Sequence, residues 1–216
     1  MAPVMHAMAG MQPWTATEFG LMLAMWAVMM IAMMVPTAIP MTLLYAAVAR
    51  KAAVQDNPLA PTFVFAAGYI TMWAIFSLVA PVAQRALDEA TLLSPMMVSR
   101  SAWLGATLLI AAGVYQLTPL KNACLKNCRA PAHFLSRYWR NGRLGALRMG
   151  LRLGAYCLGC CWVLMGLLFV GGVMNLLWIA AIAAFVLAEK TIPFGAAGGR
   201  FGGIAMILAG ALSLAL

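Results

Sequence analysis

The sequence reads as an all-α protein, a polytopic transmembrane helical bundle with five or six spans. Three features lead there. Hydrophobic residues make up 65% of the 216 residues and charged ones only 9%, against roughly 45–50% and about 25% in soluble domains. The apolar residues gather in runs close to the ~20 needed to cross about 30 Å of hydrocarbon. The basic residues lie between those runs, where they act as topology signals. A single integral membrane domain over residues 1–216 is expected, and no separate soluble domain fits.

Each element follows in order. Residues 1–16 are a short Met-rich external segment. No Lys or Arg occurs before Arg50, so a cleaved leader is not expected. Residues 18–35 form the first span. Pro36 and Pro40 are expected to break it before a short helical extension reaches Arg50 and Lys51. A second span ends near Ala83, and Arg85, Asp88 and Glu89 are read as a polar turn. The third runs from about Ser101 to Thr118. Residues 119–152 are then a basic loop, with a surface helix around HFLSRYWR. Spans four (153–173) and five (175–188) follow, and a short last one lies in FGGIAMILAGALSLAL after a Gly-rich linker.

With the first helix entering from outside, twelve of the 14 Lys and Arg fall on the inner side and only Arg85 and Arg100 fall outside. That asymmetry predicts an external amino terminus and a cytoplasmic 119–152 loop in a bacterial inner membrane. The formal charge of +9 is therefore not read as a nucleic-acid face, and the lipid bilayer is the expected partner.

All 5 cysteines cluster. Cys124 and Cys128 form a C-x3-C pair after the third span, and Cys157, Cys160 and Cys161 form C-x2-C-C near the start of the fourth. On helices those spacings put each group on one face, so two thiol faces could meet. Lys121, Lys126 and Arg129 surround the first pair, and positive neighbours favour thiolate. Soft thiolates select Cu(I), zinc or an iron–sulfur cluster over Mg or Ca. A second reading is open, because cysteine also packs as a small hydrophobe.

Methionine is abundant, with 18 residues. Met22, Met25, Met29 and Met33 recur at helical spacing along the first span, as a thioether path for Cu(I) or as flexible core filler. Met5, His6, Met8 and Met11 could collect a metal outside. His133, five residues past Cys128, is a weaker ligand candidate. Glu189 is either a functional intramembrane acid or the partner of Lys190 in an interfacial ion pair. No P-loop, G-x-G-x-x-G, G-x-S-x-G or H-E-x-x-H occurs, which argues against an ordinary hydrolase or nucleotide-driven pump.

The blocks MMIAMMVPT, YQLTPLKNACLKNCRAP, GAYCLGCCWVLM, GGVMNLLW and AEKTIPFG, in this order from Met29 to about Gly195, resemble a bacterial family of predicted metal-binding integral membrane proteins. The resemblance implies an inner-membrane protein with Cys124, Cys128, Cys157, Cys160 and Cys161 as suspected ligands, and adds Asn175, Glu189 and Lys190 as candidates. It implies no particular reaction.

The leading expectation is a protein that binds copper(I), with zinc as the other metal, and transports it or delivers it to a soluble metal carrier or another membrane protein. Two rivals come from other classes. One is a membrane thiol-disulfide oxidoreductase. The other is a structural or assembly subunit of a membrane complex, whose small-residue helices pack against partners.

Overall fold

The computed structural model describes residues 15–52, 59–90, 101–192 and 195–215, and every regular element among them is helical. Met5, His6, Met8, Met11 and Arg100 lie outside the described residues. In chain order the helices are α1 (Ala16–Ala52), α2 (Leu59–Glu89), α3 (Ala102–Leu117), α4 (Pro119–Arg129), α5 (Pro131–Tyr138), α6 (Gly142–Gly166), α7 (Leu168–Gly171), α8 (Leu176–Thr191) and α9 (Gly195–Ala215).

α1 starts on a capping box. The Thr15 amide donates to Glu18 Oε2 at 2.7 Å and the Glu18 amide donates to Thr15 Oγ1 at 3.3 Å, so two amides left over at the helix start find acceptors. The helix then runs through Pro36 and Pro40 without the expected break. A proline removes only its own amide bond, and hydroxyl side chains and neighbouring helices can re-satisfy the backbone around it. The carbonyls freed here are those of Ala32 and Pro36, while Thr37 Oγ1 donates to the nearby Met34 carbonyl and Thr42 Oγ1 to that of Ala38. α2 likewise passes through Pro81 and carries Arg85 and Glu89 as a one-turn ion pair at 2.7 Å, so the expected polar turn is helix.

Thr118 does two jobs. Its amide bonds back to the Tyr115 carbonyl and closes α3, while its side chain accepts from the Lys121 amide and caps α4, with Pro119 at the first helical position. The two helices bend by 65° at this point. The expected 119–152 loop is therefore mostly helix. α4 and α5 fill its first part, and α6 begins at Gly142, whose φ of +78° is a conformation that glycine adopts without strain. The fourth helix thus starts earlier than residue 153, and its first turns carry Arg143, Arg148 and Arg152. The Gly-rich stretch after Lys190, expected as a linker, forms the first turns of α9.

Two helix pairs pack backbone to backbone. A Cβ on Gly150 of α6 would stand 2.0 Å from the Phe65 carbonyl oxygen of α2, and one on Gly113 of α3 would stand 2.4 Å from the Gly203 carbonyl oxygen of α9. Small residues at such crossings let helices approach where the hydrophobic effect cannot drive them together. The core so enclosed holds Trp26, Met30, Met34, Phe65, Trp73 and the three cysteines of α6.

Large apolar side chains also face outward: Leu21, Val28, Phe63, Trp103, Leu176, Leu177 and Phe201 are all at least 68% exposed. That surface is compatible with a membrane protein. Four stretches are long and apolar enough to cross a bilayer: most of α1, of α2 and of α9, and α6 continued through α7. The bent pair α3–α4 makes a fifth if counted as one span. With 16 residues, α8 is only about 24 Å long, which is why the count falls below six.

Candidate metal centre

α6 positions three thiols by helical spacing alone. Cys157, Cys160 and Cys161 are all buried. Cys160 Sγ and Cys161 Sγ donate back to the Cys157 carbonyl at 3.1 and 2.7 Å, and the two sulfurs are 3.4 Å apart. Cys157 Sγ instead meets groups from other helices. Lys190 Nζ of α8 donates to it at 2.9 Å, and Tyr69 Oη of α2 lies 3.0 Å away. Tyr69 also donates to the Met34 carbonyl of α1, and Lys190 reaches Thr37 Oγ1 at 3.3 Å. The α6 sulfur is thus met by α2 and α8, and α1 joins the same knot through Thr37 and the Met34 carbonyl.

The second thiol pair comes from α4, where Cys124 and Cys128 are half-buried. Cys124 Sγ rests on Gly159 of α6, where a Cβ would be 3.0 Å from the sulfur. The Tyr115 hydroxyl of α3 donates to the Gly159 carbonyl. Cys128 lies near enough to Cys160 for the two thiols to interact electrostatically. The two cysteine groups thus approach each other across the α4–α6 contact. No group of three or more His, Cys, Asp or Glu among the described residues is gathered so as to hold a metal ion. The donor set itself suits a soft metal, since it offers thiols and no exposed carboxylate. For Cys160 and Cys161 to join Cys157 as ligands, their sulfurs must turn away from its carbonyl.

The charged residues are arranged differently from the sequence expectation. Glu189 does not pair with Lys190. Its two carboxylate oxygens each accept from Lys121 Nζ at 2.8 Å, and Oε1 accepts from Gln116 Nε2 at 3.0 Å. Adjacent helix residues do not face each other, so Glu189 and Lys190 serve different sides of α8. Glu189 ties it to α3 and α4, and Lys190 ties it to Cys157 of α6. Lys121, Glu189 and Lys190 are all buried. Two of the three positive neighbours expected to act on Cys124 and Cys128 are committed elsewhere. Lys121 is held by Glu189, Arg129 Nη2 donates to the Ile192 carbonyl at 2.6 Å, and Lys126 lines a groove with Arg129.

Among the methionines, Met25 and Met29 are half-buried and Met33 is buried, but the deepest row is Met30, Met34 and Met41. The Met34 carbonyl belongs to the Tyr69–Thr37 knot, which sets this row level with Cys157. Met22 Sδ accepts from Gln84, whose own Oε1 accepts from Trp26 Nε1 at 2.7 Å. His133 is on the exposed face of α5, whose buried face is Phe134 and Leu135. Asn175 caps α8 by accepting from the Trp178 amide, a structural role. Sequence reasoning missed Tyr69, Thr37 and Gln116. The available signal was polarity inside an apolar run, which marks Gln116 and Gln84 but not the two hydroxyl residues.

An all-helical chain with long apolar helices and a buried thiol nest tied to an ammonium group is, as a class, a helical thiol protein suited to soft cations. Residues 23–213 match the family PpoB2, described as copper chaperone, and the chain belongs to that family. No curated protein and no solved structure matches it. Membership makes copper handling in general the business of this chain. The matched span includes both cysteine groups and the Glu189–Lys190 step.

Proposed function

We propose that this chain is a copper chaperone inserted in a bacterial inner membrane, which takes Cu(I) as cargo on the thiols of Cys124, Cys128, Cys157, Cys160 and Cys161 and passes it to a partner protein. The observation that carries this reading is the approach of Cys128 to Cys160 and of Cys124 to Gly159, which joins two thiol groups separated in sequence. Soft thiolate and thioether ligands select Cu(I). Lys190 is the positioning cation of this nest: its ammonium donates to Cys157 Sγ, holds that sulfur in place and stays beside it when a metal binds. Met30, Met33 and Met34 supply thioethers beside the nest. The half-buried α4 pair is the entry or exit point, being the more accessible of the two.

In this reading the amino terminus lies outside and the 119–152 segment is cytoplasmic. The test is elemental analysis of detergent-purified protein beside a variant with all five cysteines changed to serine. Near-stoichiometric copper that vanishes in the variant is expected. Equal copper in both samples overturns the cysteine site, and stoichiometric zinc in place of copper changes the cargo. The nearness of Cys128 to Cys160 also favours a thiol-disulfide relay as a second reading. Mass spectrometry of thiols trapped in cells decides it: cysteines found reduced under all growth conditions remove the relay.

A further inference from the structure

A groove of about 900 Å³ runs between α4, α5 and the start of α9, on the side of α4 that carries Lys126 rather than the thiols. Its lining contributes Lys126, Arg129, Arg137, Arg200 and His133, and no carboxylate. Of the 5 acidic residues in the chain, Glu18, Asp88 and Glu89 sit at the other ends of α1 and α2, and Glu189 is buried against Lys121. Asp56 is outside the described residues. Among the described residues, the cationic side chains of Lys126, Arg137 and Arg200, from three helices, therefore line one groove with no carboxylate beside them. Like charges held together this way repel, and the arrangement is stabilised by an external anion that several guanidinium groups can grip at once.

The rim indicates which anion. Leu120, beside lining residue Pro119, is 62% exposed, and Phe201, beside Arg200, is 73% exposed. Beyond them the exposed apolar faces of α3 and α9 continue through Val114, Ile204 and Leu208. A groove that is cationic at one end and opens onto apolar helix faces matches a molecule with an anionic head and hydrocarbon tails. Basic pockets between membrane helices on the cytoplasmic side bind such head groups.

We propose that this groove is a binding site for an anionic phospholipid, whose phosphate is held by Arg137 and Arg200 with Lys126, and whose acyl chains lie along α3 and α9. The lipid bridges α9 to the α4–α5 segment and so braces the outer side of α4, whose inner side carries Cys124 and Cys128. The inference rests on membrane insertion but not on copper binding.

The experiment uses the full chain in nanodiscs of equal phosphatidylglycerol and phosphatidylcholine, extracted into detergent and analysed by native mass spectrometry, with copper content measured on the same sample. Retained phosphatidylglycerol should exceed phosphatidylcholine several-fold, and Arg137→Gln with Arg200→Gln should abolish the excess. Wild-type protein should also unfold at a higher temperature with added phosphatidylglycerol than with phosphatidylcholine, a measurement that needs no variant. Equal retention of the two lipids overturns the proposal, as does an excess unchanged in the double variant. The same thermal shift from inorganic phosphate makes the groove a free-anion site instead. A shift from soluble polyglutamate without lipid preference makes it a docking face for an acidic protein. A sample that loses its lipid preference while keeping copper refutes only the groove, and the reverse refutes only the cargo.

Discussion

Glu189 and Lys190 are chain neighbours, yet each holds a different cysteine-bearing helix. Lys121, paired with Glu189 at 2.8 Å, is one turn from Cys124, and Lys190 touches Cys157 directly. The pair is an alignment device: it sets where α4 stands relative to α6. Removing one member of a buried ion pair leaves an uncompensated charge and costs about 3–5 kcal/mol, whereas apolar replacement of both is often neutral. Glu189→Gln is therefore expected to lower thermal stability by that order, and Lys121→Met with Glu189→Leu to recover most of it, read by unfolding in detergent. Lys190→Met tests the other side of the helix. It removes the donor to Cys157 and Thr37, and should weaken Cu(I) retention against a competing chelator by about 10- to 100-fold, the usual effect of losing a group that orients a metal ligand. Lys190→Arg should retain more. Equal retention in Lys190→Met and wild type would remove Lys190 from the site.

At the scale of elements, the α3–α4 bend decides which face of α4 meets α6. Thr118 closes one helix and caps the next, and the 65° turn brings Cys124 onto Gly159. Losing a Thr cap costs about 1 kcal/mol, and here it also loosens the direction of α4. Thr118→Ala should therefore lower the yield of an oxidative Cys128–Cys160 cross-link, measured with the other three cysteines replaced by serine. An unchanged yield would mean that the Lys121–Glu189 tie alone sets α4. The prolines of α1 and α2 show the opposite case. They look like breaks in a linear reading, but each removes a single amide bond, and both elements run on through them as helix.

For the whole molecule, the apolar exterior and the separation of charge are one pattern. Acidic Glu18, Asp88 and Glu89 are at one end of the described helices, and the cationic groove is at the other. Orientation can be measured with a membrane-impermeant thiol reagent on variants lacking the native cysteines. Arg137→Cys is expected to label only from the cytoplasmic side and Glu18→Cys only from outside. The reverse pattern would invert the topology and place the thiol nest towards the exterior. Either way, close glycine contacts such as Gly150 on Phe65 make the α2–α6 pair the rigid support on which Cys157 and Tyr69 meet.

Hydrophobic content, helical spacing and the linear order of charges are local properties, and through them the sequence alone determined the all-helical class and the grouping of five cysteines, and pointed to the copper handling that family membership supports in general. It also brought Glu189 and Lys190 into view. Their partners were beyond it. Whether Glu189 faces Lys190 or Lys121, whether Tyr69 and Thr37 reach a thiol, and whether 119–152 is loop or helix depend on the angle at Thr118 and on how closely glycines let the helices approach. Those quantities belong to the packed molecule. A one-residue step around a helix turns a side chain through about 100°, and only neighbouring helices decide what it meets there.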